Sequence, residues 1–229
     1  SRSRKQVERE AAILESLRGH DHICNHIEHA YLDPNFEQKR LFYIVLEYID
    51  GDVLTIPPDG FDKVSQTLKI AKHILLALKE MHEKKFVHRD IKPDNIIFCK
   101  ETKNFKVIDT GLALKLKGND LQNSVQMTMQ TSGGGGGDGT PQYMAPEQFD
   151  RYGVISEAAD IWGLAVTMYQ CLTGKLPFSE KRTPRREIQK AIENLEEDET
   201  LLQHARAEME GKKIPPETVA LVMKAMRFK

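Results

Sequence analysis

Cysteine is scarce in this sequence: the 229 residues hold three, Cys24, Cys99 and Cys171, an odd number spread far apart. That pattern supplies neither a disulfide framework nor a zinc site of the C-x-x-C kind, and it implies reduced, buried thiols. A run of 18 apolar residues is also missing, and the chain does not open on a basic stretch followed by an apolar one. No membrane segment and no secretory leader are therefore indicated, and an intracellular protein, cytoplasmic or nuclear, is the expectation. Nor does one sign of charge dominate. The 33 Lys and Arg face 34 Asp and Glu, for a formal net charge of -1, a balance that argues against nucleic acid or an anionic membrane as the main partner. What is present is an apolar fraction of 40%, enough to bury one sizeable core and little more.

Hydrophobic spacing sets out the elements. Val7, Ala11, Leu14 and Leu17 recur at helical intervals up to Gly19, predicting an amphipathic helix stopped there. Ile27 to Leu32 and Leu41 to Ile49 read as two strands joined across Asp33-Pro34-Asn35 into a hairpin. Val64, Leu68, Ala71, Leu75, Leu78 and Met81 keep helical spacing over the longest clean helix. Two short strands are expected at Ile96 to Cys99 and Phe105 to Ile108. From Lys115 to Thr140 there is no periodicity, and five consecutive glycines, Gly133 to Gly137, mark a long loop. Ala158 to Leu172 is apolar on every side and reads as a helix in the middle of a helical core. The charge-dense stretch Ser179 to Lys213 predicts solvated helices, and a last helix covers Pro216 to Met226.

The chemistry-bearing residues cluster in the middle. His88-Arg89-Asp90-Ile91-Lys92-Pro93-Asp94-Asn95 is followed fourteen residues after Asn95 by Asp109-Thr110-Gly111, and later by Ala145-Pro146-Glu147. Three ordered motifs, one of them eight residues in register, resemble the signature set of the eukaryotic-type Ser/Thr protein kinase domain. The resemblance runs from about Val7 to Met226. It implies the two-lobe α+β fold, with residues 1–49 as a remnant of the small lobe up to the hinge. Residues 50–229 would then form the mainly helical large lobe, with the catalytic loop, an activation loop at 109–147 and the charged region 179–213.

Phosphoryl transfer passes through a loose transition state, so positioning and charge carry the catalysis and oxygen donors suit each role. By resemblance, Asp90 orients or accepts the proton of a Ser/Thr hydroxyl, Lys92 neutralises the transferred group, and Asn95 with Asp109 binds Mg2+ on the ATP phosphates. Lys92 at that position, with Thr140 in the docking loop Gly139 to Glu147, points to Ser/Thr in a protein substrate. Leu46, Glu47 and Ile49 resemble the gatekeeper and hinge at the adenine, and Ile97 and Ile108 would line the same pocket. By resemblance, His88, Leu14 and Thr110 occupy the column that the family stacks beside the metal motif, Gly111 completes that motif, and Glu10 resembles the glutamate that pairs with the family's ATP-binding lysine. Asp160 resembles the buried anchor of the catalytic loop, whose donors would be backbone N–H groups near His88 and Arg89. Arg89 is the residue that pairs in the family with an activation-loop phosphate, for which Ser124, Thr128, Thr131 and Ser132 are candidates. An upstream kinase or regulatory protein is the partner this implies.

Three departures accompany the resemblance. No glycine-rich loop and no lysine-bearing strand precede the first helix, and Lys5 lies too close to Glu10 to serve. The small lobe is thus read as truncated, with weak ATP binding expected of the chain as it stands. Thr110 stands where the family carries Phe, and the 109–147 loop is long and glycine-rich, which raises the entropy cost of ordering it. The rival expectation is a pseudokinase-type binding or scaffolding module without catalysis.

Overall fold

In the computed structural model, residues 4–31, 42–56, 62–116, 139–150, 153–180, 182–196 and 198–227 are described. Helix α1 (Arg4–Ser16) leads into the antiparallel pair β1 (His26–Tyr31) and β2 (Phe42–Leu46), which runs in register from Glu28 opposite Val45 to Tyr31 opposite Phe42 and shifts by one residue before His26 meets Leu46. The second strand is shorter than its apolar run suggests. It ends at Leu46, and Glu47 to Asp50 leave the sheet because the Glu47 amide bonds the Asn25 carbonyl at 2.9 Å while the Lys100 amide bonds that of Asp50 at 2.9 Å. The turn at 33–35 lies outside the described residues.

Strands β3 (Gly51–Val53), β5 (Ile96–Cys99) and β6 (Phe105–Val107) form a second antiparallel sheet. A third, minimal pair joins β4 (Phe86–Val87) to β7 (Leu114–Lys115). Periodicity could not show β3, β4 or β7, since two or three residues carry no period of their own. Between them lies α2 (Lys63–Glu83), capped by the Asp62 carboxylate, which accepts from the Ser65 amide at 3.0 Å.

The core is centred on α3 (Ala158–Thr173), where 13 of the 16 residues are buried, so the helix is surrounded and not merely packed on one side. It ends at Gly174, whose φ of +77° is the left-handed cap that a side chain would strain. Helix α2 packs against α3 and β6, and α4 (Arg185–Glu193), α5 (Thr200–Gly211) and α6 (Pro216–Ala225) complete the helical part. The charged 179–213 stretch does form helices, yet each hides an apolar face: Ile188 and Ile192 in α4, Leu202, Ala205 and Met209 in α5. All three cysteines are buried and free. Among the described residues no helix is long and apolar enough to cross a membrane. The arrangement is α+β, six helices with small antiparallel sheets among the described residues.

One polar feature of this core has a pH signature. His73 on α2 accepts the Phe105 amide through Nδ1 at 3.0 Å, and His22 Nδ1 meets the Phe105 carbonyl at 3.1 Å. The two rings lie 4.5 Å apart. Burial first, then His22, Lys69 and Lys72, push the His73 imidazole down to about 4. An imidazole near 6.5 in the unfolded chain therefore takes up protons before the folded one does, so its contribution is complete above that value and fades as pH falls from about 6.5 towards 4. On the order of 2 kcal/mol should be lost over that window. Urea unfolding at pH 7.5 and pH 4.5 is the measurement, and His73→Gln should flatten the difference.

Candidate functional site

The site is built on the segment 88–95 between β4 and β5. Arg89 takes a φ of +72°, a left-handed conformation that costs a non-glycine residue about 1 kcal/mol or more. What holds it there is Asp160, 1% exposed on α3. Its Oδ2 accepts the His88 amide at 2.9 Å and Oδ1 the Arg89 amide at 2.7 Å, and His82 Nε2 lies 2.8 Å from Oδ2. A buried carboxylate is tolerable only with such donors around it. On the opposite side, Gln148 Nε2 donates to the Arg89 carbonyl at 2.9 Å while its Oε1 accepts the Ala145 amide at 2.9 Å. The peptide at Arg89 is thus gripped from both directions, which ties the Ala145-Pro146-Glu147 turn to the loop.

This backbone turns the Asp90 side chain onto a ring of donors. Lys92 Nζ is 2.8 Å from Oδ2, Asn95 Nδ2 donates to Oδ2 at 3.0 Å and to the Asp90 carbonyl at 2.8 Å, and the Thr140 amide donates to Oδ1 at 3.0 Å. Lys92 Nζ also donates to Thr140 Oγ1. Burial alone would raise the Asp90 carboxyl. The Lys92 hydrogen bond and charge, the Thr140 amide and His88 outweigh it and hold the group below its ordinary value. Gly139, at φ +138°, stands where a Cβ would come within 3.0 Å of Met144 Cε and 3.7 Å of Asp90 Oδ1. The close approach of the Thr140 amide to Asp90 therefore needs glycine before it. Beside Thr140 opens a cavity of about 720 Å³, lined by Asp94, Tyr143, Gln170, Lys175 and Glu180 among others.

Asp109 reaches the same site through β6. The Ile108 amide donates to the Asn95 carbonyl at 2.9 Å, and His88 Nε2 lies 3.3 Å from the Ile108 carbonyl. Asp109 is exposed, with φ +58°, and its Oδ1 accepts the Gly111 amide at 3.1 Å. Leu14 on α1, His88 and Thr110 are all buried, and α1 packs on the turn Thr110–Leu112. Thr110 is 2% exposed, and its Oγ1 finds no hydrogen-bond partner among the described residues. A buried hydroxyl without a partner costs about 1 kcal/mol or more. Thr110→Val should accordingly stabilise the fold by about 1 kcal/mol, raising the melting temperature by about 2–4 °C, as read by calorimetry.

The remaining sequence-derived candidates are placed as follows. Glu10 is half-buried on α1. Glu147 is half-buried too, and burial raises its carboxyl. Leu46 is exposed at the end of β2, Glu47 and Ile49 are half-buried in the connector that follows, and Ile97 and Ile108 are half-buried beside β6. Arg89 Nη1 donates to the Leu112 carbonyl at 3.4 Å. Ser124, Thr128, Thr131, Ser132 and the glycine run lie outside the described residues. Sequence reasoning missed Gln148, His82 and the ion pair between Lys106 and Glu47, with Nζ to Oε1 at 2.6 Å. The one available signal was a lysine inside an apolar strand, which needs a partner when buried.

The family model for the protein kinase domain matches residues 1–228. The chain belongs to the protein kinase family, as a eukaryotic-type Ser/Thr kinase domain. It is 35% identical to serine/threonine-protein kinase 33 of Bos taurus over 184 residues, 76% of this chain and 34% of that protein. It is 31% identical to serine/threonine-protein kinase RUNKEL of Arabidopsis thaliana over 202 residues, 87% of this chain and 13% of that protein. With serine/threonine-protein kinase PrkC of Bacillus subtilis (strain 168) it shares 32% identity over 144 residues, 62% of this chain and 20% of that protein. The chain spans about a third or less of the length of these relatives.

Proposed function

We propose that this domain transfers the γ-phosphate of ATP to Ser or Thr hydroxyls of a protein, with residues 1–49 contributing to a small lobe and 50–229 to a large one. The observation that carries the reading is the Asp90 carboxylate, held ionised with Lys92 Nζ 2.8 Å away and the Thr140 amide 3.0 Å away. Asp90 orients the substrate hydroxyl and takes its proton as the oxygen attacks, and Lys92 faces the charge on the phosphoryl oxygens. Thr140, bonded to both, sets their spacing and belongs to the loop that flanks the cavity of about 720 Å³ where an extended peptide fits.

Asn95 and Asp109 would hold Mg2+. The donor set fits: both Nδ2 hydrogen bonds of Asn95 go to Asp90, which leaves its amide oxygen as the metal-facing atom, and Asp109 is an exposed carboxylate. Among the described residues no cluster of three or more His, Cys, Asp or Glu would hold a metal unaided. That suits Mg2+, which takes one or two protein oxygens and completes its shell with water and phosphate. When bound, the ion neutralises phosphate charge. The backbone at Glu47 and Ile49 would meet the adenine, with Leu46, Ile97 and Ile108 as apolar lining. Arg89 would pair with a phosphorylated residue of the activation loop, and an upstream kinase would supply it.

The test is transfer of labelled γ-phosphate to a generic Ser/Thr protein with Mg2+, by this chain and by any longer form that contains it. Incorporation into Ser and Thr that vanishes in Asp109→Ala supports the reading. A folded protein that neither binds nucleotide nor transfers phosphate, even with its loop phosphorylated, would be a scaffolding module instead.

A further inference from the structure

Two histidines on β1 share a hydrogen bond away from the site: His29 Nδ1 lies 2.9 Å from His26 Nε2, with the ring centroids 5.0 Å apart. Residues i and i+3 of a regular strand point to opposite faces. Here the register shift between His26 and Glu28 puts one extra residue into β1, which slips the alternation and brings both rings to the same side. Tyr31, two residues further on, donates to Glu8 on α1, and α1 packs along both strands. His26 is 3% exposed, and its Nδ1 finds no hydrogen-bond partner among the described residues.

That bare nitrogen fixes where the protons sit. Were His29 Nδ1 the donor, a neutral His26 would carry its own proton on Nδ1, a buried N–H with no acceptor, which is rarer and costlier than a bare lone pair. His26 Nε2 therefore donates and His29 Nδ1 accepts. A further proton has two places to go from this state, and both undo the pair. On His26 it lands at Nδ1, charged and without an acceptor, and on His29 it lands at Nδ1, the atom that accepts the bond. The neighbours do not relieve this. Burial first, then His29 and Arg18, hold the His26 imidazole below its ordinary value against the pull of Glu15 on α1. From β2, Leu46 stands opposite His26 and the Phe42 ring lies 5.6 Å from that of His29.

We propose that the His26–His29 pair is a proton-sensitive latch that docks α1 onto β1 and β2: it closes with both imidazoles neutral and opens as pH falls from about 7.5 to about 5.5. An imidazole released to water takes its proton at about 6.5, whereas the closed pair resists it, so closure is fully favoured above that value and is lost below it. One proton taken up on opening raises the opened fraction about tenfold by a pH one unit below 6.5. Helix α1 also packs on the turn Thr110–Leu112 that follows Asp109, which is how an open latch reaches the site. The histidines beside Phe105 are separate, since they tie α2 to β6 and act on the stability of the whole domain.

The experiment is amide hydrogen exchange at pH 7.5 and pH 5.5, corrected for the intrinsic pH dependence of exchange, on the parent chain, His26→Gln, His26→Leu and His73→Gln. In the parent, exchange at 26–31 and along α1 should rise about tenfold on acidification. Both His26 variants lack a titrating ring at that position and should change there by less than about twofold. His73→Gln should keep the parent's response. A parent whose exchange at 26–31 ignores pH overturns the latch. So does a response that survives in both His26 variants or disappears in His73→Gln, since either assigns the proton elsewhere. A rise confined to β1, with α1 unchanged, overturns the docking role. These readouts use no nucleotide, so they decide the latch whether or not the domain transfers phosphate.

Discussion

Asp160→Ala is expected to destabilise this domain by about 3–5 kcal/mol, the largest effect of any single change at the site. The carboxylate is 1% exposed and serves three donors, two of them the backbone amides of His88 and Arg89. Alanine leaves those amides buried with no acceptor, and no side-chain movement can replace two oxygens spaced for two consecutive N–H groups. Arg89 would then lose the bond that offsets its φ of +72°, and the turn that aims Asp90 would relax. Chemical denaturation should show the loss. Amide exchange should localise the opening to 88–92 before the helices, and phosphate transfer should disappear even where the variant stays folded. Asp160→Asn should be milder but still damaging, because its amide group presents a donor to one of the two backbone donors. If Asp160→Ala unfolds at the parent's denaturant concentration, the anchoring role is wrong.

Asp90→Asn should behave in the opposite way, leaving the fold intact and lowering kcat by about 100-fold to 10,000-fold. Asparagine keeps the shape and can still accept the Thr140 amide, which keeps the loop in place, although its amide group then faces the Lys92 and Asn95 donors that Oδ2 accepts in the parent. It removes the proton acceptor and the charge that Lys92 faces at 2.8 Å. Nucleotide affinity should stay within about threefold, since Asp90 is assigned to the hydroxyl and not to ATP. The same geometry predicts a pH effect. The lowered Asp90 carboxyl remains ionised through the ordinary carboxylate range, so the acid limb of kcat attributable to it should fall below that range, and the stability it supplies should be lost only in strong acid. A variant that transfers phosphate at the parental rate would remove Asp90 from the chemistry.

Some of this site was legible before any fold was known. Asp90, Lys92 and Asn95, within six residues of one stretch, and Asp109 and Thr140 further on, were picked out by the resemblance of their ordered motifs to a known family. The long helices were legible for a different reason: sixteen or twenty-one residues repeat a 3.6-residue period often enough to outweigh chance. Gln148, His82 and Lys106 were not, because each acts across a gap of more than fifty residues. An isolated polar residue in a sequence carries no mark of which distant carbonyl or carboxylate it will meet. The end of β2 at Leu46 belongs to the same class, since the strand expected to run to Ile49 is cut short by bonds from Asn25, Lys106 and Lys100, all distant in sequence.

By itself, then, the sequence determined the family, the α+β class, the helices of the core and the residue types available for phosphoryl transfer. These follow from local periodicity and from motifs short enough to be read along one stretch of chain. Tertiary structure alone decided the left-handed turn at Arg89, the Gln148 side of the grip on it, whose Asp160 side the sequence had already suggested, and the ion pair of Glu47 with Lys106 beneath the connector. Each is a buried polar group satisfied by a partner far away in sequence, and such pairings exist only once the core has closed and desolvation makes an unpaired group too costly to keep.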